Sequence, residues 1–431
     1  MMKQESLTYI PVFDLISFLL MDHIYIFNQE SSASQYGIGS YIKHLTYCLK
    51  DSTYTISVVT LHTKQKELSV KYLSGIRYIK IPKIHVNIVG YEQVYQESVV
   101  YMLVPYISKK DKNIFHLNYE NNIYLAKKLK EIFGCPILFT VHYTEWSYYF
   151  GGNRKKLNDL IARKESNYKL SGEEKDIDET LCRETSLFHN YCDKIIAISR
   201  HSFHDLTSIY KVPKEKIVLI NNSLKDQYNP IPASQKLRIK KRLCIAPDDI
   251  ILLFVGRLHT IKGLKLLINA FKIALKQESK LRLFIVGSGT YNEWLSIAKP
   301  AWSRISFTGY LTSKELSQLY SIADIGLIPS IHEEFGLVAL EMMMHKLPII
   351  VNNTTGLSEI VENEVTGLIA KKASAKNMAA KIIELTQDLS FRKLIADQGR
   401  KKYLKKYSSP LYREKMLRLY KSFYCTSNEC L

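Results

Sequence analysis

Pro329-Ser330-Ile331-His332-Glu333-Glu334-Phe335-Gly336-Leu337-Val338-Ala339-Leu340-Glu341 sets two carboxylates, Glu333 and Glu341, on either side of a glycine-bearing turn. The apolar run from Asp324 to Ile328 reads as a buried strand, and Leu337 to Met344 as a helix. Backbone N–H groups of Phe335, Gly336, Leu337 and Val338 would then lie at the positive end of that helix, where anionic oxygens bind. Glu333, just before the helix, is placed to accept sugar hydroxyls, and Glu341, two turns in, to accept ribose hydroxyls, because a carboxylate only accepts and a polyol is rich in donors. The layout suits a phosphorylated sugar. The plainer reading of this stretch alone is a helix start with acidic residues placed for its dipole.

Other loops carry matching chemistry. Val255-Gly256-Arg257-Leu258-His259-Thr260-Ile261-Lys262-Gly263 follows a buried strand and opens a helix, with two fixed cations around one turn. Arg257 and Lys262 would both reach one diphosphate and stabilise charge on a leaving phosphate in place of a metal. Phe284-Ile285-Val286-Gly287-Ser288-Gly289 ends the next strand in a glycine turn that would let a nucleotide approach the backbone. In the first half, Tyr36-Gly37-Ile38-Gly39-Ser40-Tyr41 precedes an amphipathic helix, Ile42 to Leu49; a dinucleotide fingerprint fails there because Ile42 stands where the third glycine belongs. His142 ends a strand, where open α/β sheets place ligands, and His116 ends the preceding one.

The spacing Glu333-x7-Glu341 resembles the signature of the retaining glycosyltransferases of family 4, which have the GT-B fold. Arg257 to Gly263 is similar to that family's phosphate loop, and Gly37 and Gly39 to its first glycine loop. The resemblance implies an α/β protein with two Rossmann-like parallel-sheet domains facing across a cleft, the second holding a nucleotide-diphospho-sugar. It implies catalytic roles for Arg257, Lys262, Glu333 and His142. Donor binding falls to Gly37, Gly39, Gly287, Gly289, Phe335 to Val338 and Glu341, with the base near Tyr310 and Leu311. Retention by front-face transfer is implied too. Tyr143 follows His142 where the family often has an acid, with Glu145 two further on, and Ser223 replaces the family's glycine beside Asn222, expected to take a left-handed turn.

The chain has 431 residues and is 46% hydrophobic, which suits two packed domains. Strand–helix alternation from His23 to about Ser223 reads as one domain, and from Ile250 onward as another, with a hinge at Tyr228-Asn229-Pro230-Ile231-Pro232. The expected division is an N-terminal extension over 1–22, an acceptor-side domain over 23–226, a donor domain over 233–407 and a terminal helix over 408–431 that, by the resemblance, crosses back to the first domain. Residues 1–20 are expected to be an extension or an upstream mis-start; the apolar run Ile10 to Met21 is too short to span a bilayer, which takes about 20 residues. Phe150 to Asp178 reads as a polar, helix-prone excursion broken at Ser171-Gly172.

A net charge of +19 favours an acidic partner. Its basic residues are dispersed and carry no nucleic-acid motif, so nucleic acid is not expected. Lys127, Lys128, Lys130, Arg154, Lys155 and Lys156 are expected to favour peripheral contact with an anionic membrane. Seven cysteines without a C-x-x-C pair read as reduced thiols of a cytoplasmic protein, with Cys425 and Cys430 on a frayed tail. Asp176-Ile177-Asp178 matches a metal-holding D-x-D only in form, because it lies in a charged segment with no strand before it; no metal cofactor is expected. The expected activity is sugar transfer from a nucleotide-diphospho-sugar to a glycan, a lipid-linked intermediate or a peptide. The alternatives are a nucleotide-sugar 2-epimerase of the same fold, a glycosidase using Glu333 and Glu341, and a basic binding protein.

Overall fold

A computed structural model describes residues 22–31, 37–84, 90–166 and 169–424. The expectations for residues 1–20, Tyr36, Cys425 and Cys430 fall outside them. Strands β1 (Asp22–Gln29), β2 (Thr55–Thr63), β3 (Ser69–Leu73), β4 (Ile76–Pro82), β5 (Lys112–Leu117), β6 (Ile137–Val141), β7 (Lys194–Ala197) and β8 (Ile217–Leu219) form one sheet in the order β3-β4-β2-β1-β5-β6-β7-β8. Strands β9 (Ile250–Val255), β10 (Leu281–Val286), β11 (Ile305–Gly309), β12 (Ile325–Ile328), β13 (Ile349–Asn352) and β14 (Leu368–Ala370) form a second, ordered β11-β10-β9-β12-β13-β14. Every pairing is parallel except β3 with β4. Helices cover both faces of such sheets, so central strands such as Ile250–Val255 are continuous apolar runs rather than alternating ones.

The expected strand–helix alternation is present in both halves, and the buried strand read over Asp324 to Ile328 is β12. β3 has no apolar alternation, because its side chains are half-buried or exposed and include Lys71. Ser74 and Gly75, at φ 51° and 78°, join β3 to β4 in the two-residue turn with both φ positive that matches strand twist. Among the parallel strands the order switches direction between β1 and β5 in the first sheet and between β9 and β12 in the second, and ligands bind at such reversals beyond the carboxyl ends of the strands.

Several local expectations change. The first long helix begins at Gly37, not Ile42, so Gly37 and Gly39 lie in its first turn. The polar excursion forms helices Arg154–Glu165 and Gly172–Ser186; the Ser171 side chain accepts from Glu174 N while the Glu174 side chain reaches back to Ser171 N. Asn222 is not left-handed. Its neighbour Ser223 uses the side chain that a glycine lacks, its Oγ lying 2.7 Å from His44 Nε2.

The terminal helix Ser409–Lys421 packs on the first domain. Arg413 Nε donates to Cys48 O at 2.7 Å, and Tyr420 is fully buried with its hydroxyl 2.6 Å from His116 Nδ1. His116 therefore faces no cleft. Its Nε2 lies 2.7 Å from Thr140 Oγ1, which lies 3.0 Å from Tyr41 OH. Burial, helped by His142, pushes the His116 pKa down to about 3, so the ring is neutral, with one donor and one acceptor. Tyr420→Phe leaves a buried ring nitrogen without a partner and is expected to destabilise the fold by about 1–3 kcal/mol. Denaturant unfolding followed by fluorescence checks this, and an unchanged midpoint contradicts it.

Candidate functional site

Because β9 pairs directly with β12, the loops that leave their carboxyl ends emerge side by side. Gly263 takes φ 73°, and a Cβ there would stand 2.0 Å from Pro329 O, so only glycine lets the two backbones touch. Ile331 N donates to Ile261 O at 2.8 Å across the same seam. Side chains extend the contact, with Lys262 Nζ 2.7 Å from Glu333 Oε2. Lys262 is thus not the free cation that the sequence implied, although an ammonium has further donors for an anion. The Arg257 guanidinium has no hydrogen bond or ion pair among the described residues.

These groups line a cavity of about 590 Å³ between the domains. Arg257, Lys262, Glu333, Gly336 and Glu341 face it from the second domain, and Gly37 and His142 from the first. Gly287, Tyr310, Leu311, Phe335, Leu337 and Val338 also line it, whereas Gly39 and Gly289 do not. Gly39 is buried in its helix. The close approach that the Gly287-Ser288-Gly289 turn permits is first of all to the protein: a Cβ on Gly287 would stand 1.8 Å from Gly256 O, and one on Gly289 2.6 Å from Leu258 O.

The helix Leu337–Met344 starts from Gly336 with its free N–H groups at the cavity wall. Glu341 accepts from Tyr320 OH at 2.8 Å; burial, partly offset by that bond, raises its pKa. Tyr320 had no sequence signal, since a tyrosine in the helix Ser313–Ile322 reads as ordinary core. His142 Nε2 lies 3.0 Å from Asn118 Oδ1, and the Asn118 amide is fixed by donation to Phe27 O at 3.0 Å. That assigns the proton to Nε2 and leaves Nδ1 as an acceptor. Burial pushes the His142 pKa down to about 3, so the ring is a neutral hydrogen-bonding group.

Beside the cavity, Tyr143 OH donates to Glu120 Oε1 at 3.1 Å, and Glu120 and Glu145 share a hydrogen bond. Glu184 accepts from Glu145 N at 3.1 Å and from Tyr210 OH. Burial raises Glu120 to about 7 and Glu184 to about 8. Glu145 lines the cavity at this acidic end.

Asp176 and Asp178 lie on the helix Gly172–Ser186, away from the cavity, with Asp178 paired to Lys164 at 2.7 Å. Among the described residues no cluster of His, Cys, Asp and Glu is arranged to hold a metal, and no helix is long and apolar enough to cross a membrane. The expected basic patch is partly neutralised: Lys128 pairs with Glu131 at 2.7 Å, Lys130 with Asp193 at 2.5 Å, and Arg154 with Asp205.

The glycosyl transferases group 1 family matches residues 235–402, and glycosyltransferase family 4 matches residues 36–227. An uncharacterized glycosyltransferase of Methanocaldococcus jannaschii is 30% identical over 53% of this chain and 60% of its own length. The capsular polysaccharide biosynthesis glycosyltransferase CapM of Staphylococcus aureus is 28% identical over 48% of this chain and 52% of its own. The matches thus span about half the length of these relatives. Among solved structures, the sucrose-phosphate synthase of Thermosynechococcus elongatus superposes with a TM-score of 0.75 at 21% identity, over 94% of this chain and 99% of that one. HepE of Anabaena, in complex with UDP and glucose, superposes at 0.71 and 15% identity, over 93% and 99%. Both share the two-domain fold.

The acidic cluster makes stability depend on pH. Unfolded, Glu120 and Glu184 lose their protons above the ordinary value of 4.5; folded, they keep them to about 7 and 8. The unfolded state therefore binds fewer protons in that window, and the contribution of these groups to stability falls as pH rises through it. Glu184→Gln is expected to flatten the fall in melting temperature between about pH 5 and about pH 8. Equal slopes for variant and parent contradict the assignment.

Proposed function

The chain belongs to the group 1, family 4 glycosyltransferases with the GT-B fold, and we propose that it moves a sugar from a nucleotide-diphospho-sugar to an acceptor hydroxyl, with retention and without a metal ion. The observation that carries this is the Arg257 guanidinium, unpaired among the described residues, with Lys262 and the Gly336 helix end in one interdomain cavity. When the bond between the sugar and the diphosphate breaks, its electron pair stays on the phosphate oxygen. Arg257, Lys262 and the N–H groups at the start of Leu337–Met344 stabilise that charge where it develops. The acceptor hydroxyl attacks from the same face and passes its proton to the leaving phosphate. Glu341, held by Tyr320, accepts the ribose hydroxyls, and Tyr310 and Leu311 lie against the base. Glu333, oriented by Lys262, and the Nδ1 of neutral His142 accept hydroxyls of the donor sugar. The bound UDP and glucose of HepE support a nucleotide-sugar donor.

Arg257→Ala and Glu341→Ala are each expected to lower transfer about a hundredfold or more without unfolding the protein, and the parent enzyme to keep its turnover in excess EDTA. The assay follows release of nucleoside diphosphate from a panel of nucleotide sugars. Near-normal turnover in either folded variant contradicts the assignment, and rescue by magnesium after EDTA contradicts the metal-free step. Accumulation of an epimerised donor without acceptor supports the epimerase instead.

For the acceptor we propose a glycan, free, lipid-linked or on a peptide, and CapM, a capsular polysaccharide enzyme, supports a polysaccharide context. Lys127, Lys155 and Lys156, which have no ion-pair partner among the described residues, remain to draw the first domain to an anionic inner membrane surface, each contributing about 1 kcal/mol. Cosedimentation with anionic vesicles is expected at low salt and to weaken as salt rises. Equal recovery in the supernatant with anionic and neutral vesicles contradicts membrane contact.

A further inference from the structure

Glu334 lies between the two residues of the motif to which the sequence assigns ligand contacts, Glu333 and Phe335, and it points at the other domain. Its Oε1 accepts from Ser147 Oγ at 2.6 Å and lies 3.1 Å from His332 Nε2. Burial raises the Glu334 pKa, but these hydrogen bonds and the charge of His332 outweigh it and hold the carboxyl below its ordinary range. Ser147 is fully buried on the short helix Glu145–Tyr149 of the first domain, directly after His142 and Tyr143. Its hydroxyl also lies 2.7 Å from Thr144 O, and of the two acceptors the carboxylate is the stronger.

The same segment meets the second domain twice more. Gly152, at φ 69°, lays its backbone against His332 so closely that a Cβ would stand 2.3 Å from the ring Nδ1. The Tyr148 ring stacks on His259 with centroids 6.0 Å apart. His259 sits in the Arg257 loop, and His332 and Glu334 in the Pro329 loop, so residues 145–152 strap across both donor loops at once. Glu145 and Tyr148, from the strap, line the cavity with them. A separate tie joins the domains nearby, where the Glu359 carboxylate accepts from Arg200 N and His201 N, 2.8 Å each, at the start of the helix Arg200–Ser208.

We propose that Glu334 and Ser147 are positioning residues: their hydrogen bond fixes the strap over the donor loops and so sets the acceptor side of the cavity in register with the sugar. This rests on the transferase reading above. Glu334 lines the cavity and Ser147 does not, and neither is among the groups assigned to the diphosphate, which are Arg257, Lys262 and the N–H groups beginning Leu337–Met344. Losing the hydroxyl therefore loosens the strap and slows transfer while leaving nucleotide affinity alone. The Glu359 tie keeps the domains together, so the effect stays local.

Ser147→Ala and Glu334→Gln, with Glu359→Gln as comparison, test this in the full chain. Hydrogen exchange by mass spectrometry is expected to show about tenfold faster exchange of the strap amides in Ser147→Ala and Glu334→Gln, and not in Glu359→Gln. Titration with UDP and the other nucleoside diphosphates is expected to give the parent affinity in all three. Turnover at saturating donor is expected to fall about tenfold in the first two. Unchanged strap exchange overturns the proposal, as does unchanged turnover with loosened exchange. Loss of nucleotide binding in Ser147→Ala also overturns it, because it makes the role structural. If the parent binds no nucleoside diphosphate, the transferase reading fails, while the exchange result still decides whether the strap is held by this bond.

Discussion

The adjacency of β9 and β12 is the constraint on which the site depends. Two strands distant in sequence share one ladder, and their carboxyl-end loops have no choice but to emerge together. Gly263 allows the backbones to touch, the Ile331–Ile261 hydrogen bond sets their relative height, and Lys262–Glu333 ties their side chains. The result is a preorganised pocket wall in which Lys262, Glu333 and Glu341 already have partners and the Arg257 guanidinium has none among the described residues. Such a wall needs little reorganisation when an anion arrives, and that favours charge developing during a reaction more than charge already present.

The first domain supplies the other wall by the same logic with different chemistry. Its strand order reverses between β1 and β5, and β6 follows, ending one residue before His142. Burial strips that histidine of charge, and Asn118 fixes its proton, so this side of the cavity offers oriented neutral groups and, toward Glu120 and Glu145, acids that hold their protons unusually far up the pH scale. Positive field on one side and neutral or acidic groups on the other suit a diphosphate held by the second domain while hydroxyls are presented from the first. The terminal helix, which follows the second domain in the chain, is anchored on the first through Tyr420 and Arg413.

Much of this was legible because parallel strands buried on both faces leave unbroken apolar runs, and because anion-binding turns need glycine beside fixed charge. β12 could be read to within a residue for that reason, and the helix after Gly336 from end to end. The edge strand β3 is hard to read because it is exposed and carries lysine and tyrosine, whereas β4 buries Ile76, Ile79 and Ile81 among Arg77, Tyr78 and Lys80, a short alternation that only the Ser74-Gly75 turn marks as a hairpin. The start of the helix at Gly37 was misplaced because a glycine pair reads as loop until the packing of Ile38 and Tyr41 is known. Partners were the least legible of all. Tyr320 beneath Glu341, Glu333 on Lys262 and Ser147 on Glu334 join segments far apart in sequence, and single-residue chemistry names the group without naming what it meets. The lysines of the first domain show the same limit, for half-neutralised clusters look cationic in one dimension.

The central claim is that fixed protein charge at the β9–β12 seam receives the donor diphosphate. A crystal structure of the full chain soaked with a nucleoside diphosphate in the presence of EDTA addresses it most directly. The account predicts phosphate oxygens within hydrogen-bonding distance of the Arg257 guanidinium, the Lys262 ammonium and the backbone N–H groups beginning the helix Leu337–Met344. Diphosphate density elsewhere in the cavity, or held only through an added divalent cation, would contradict it.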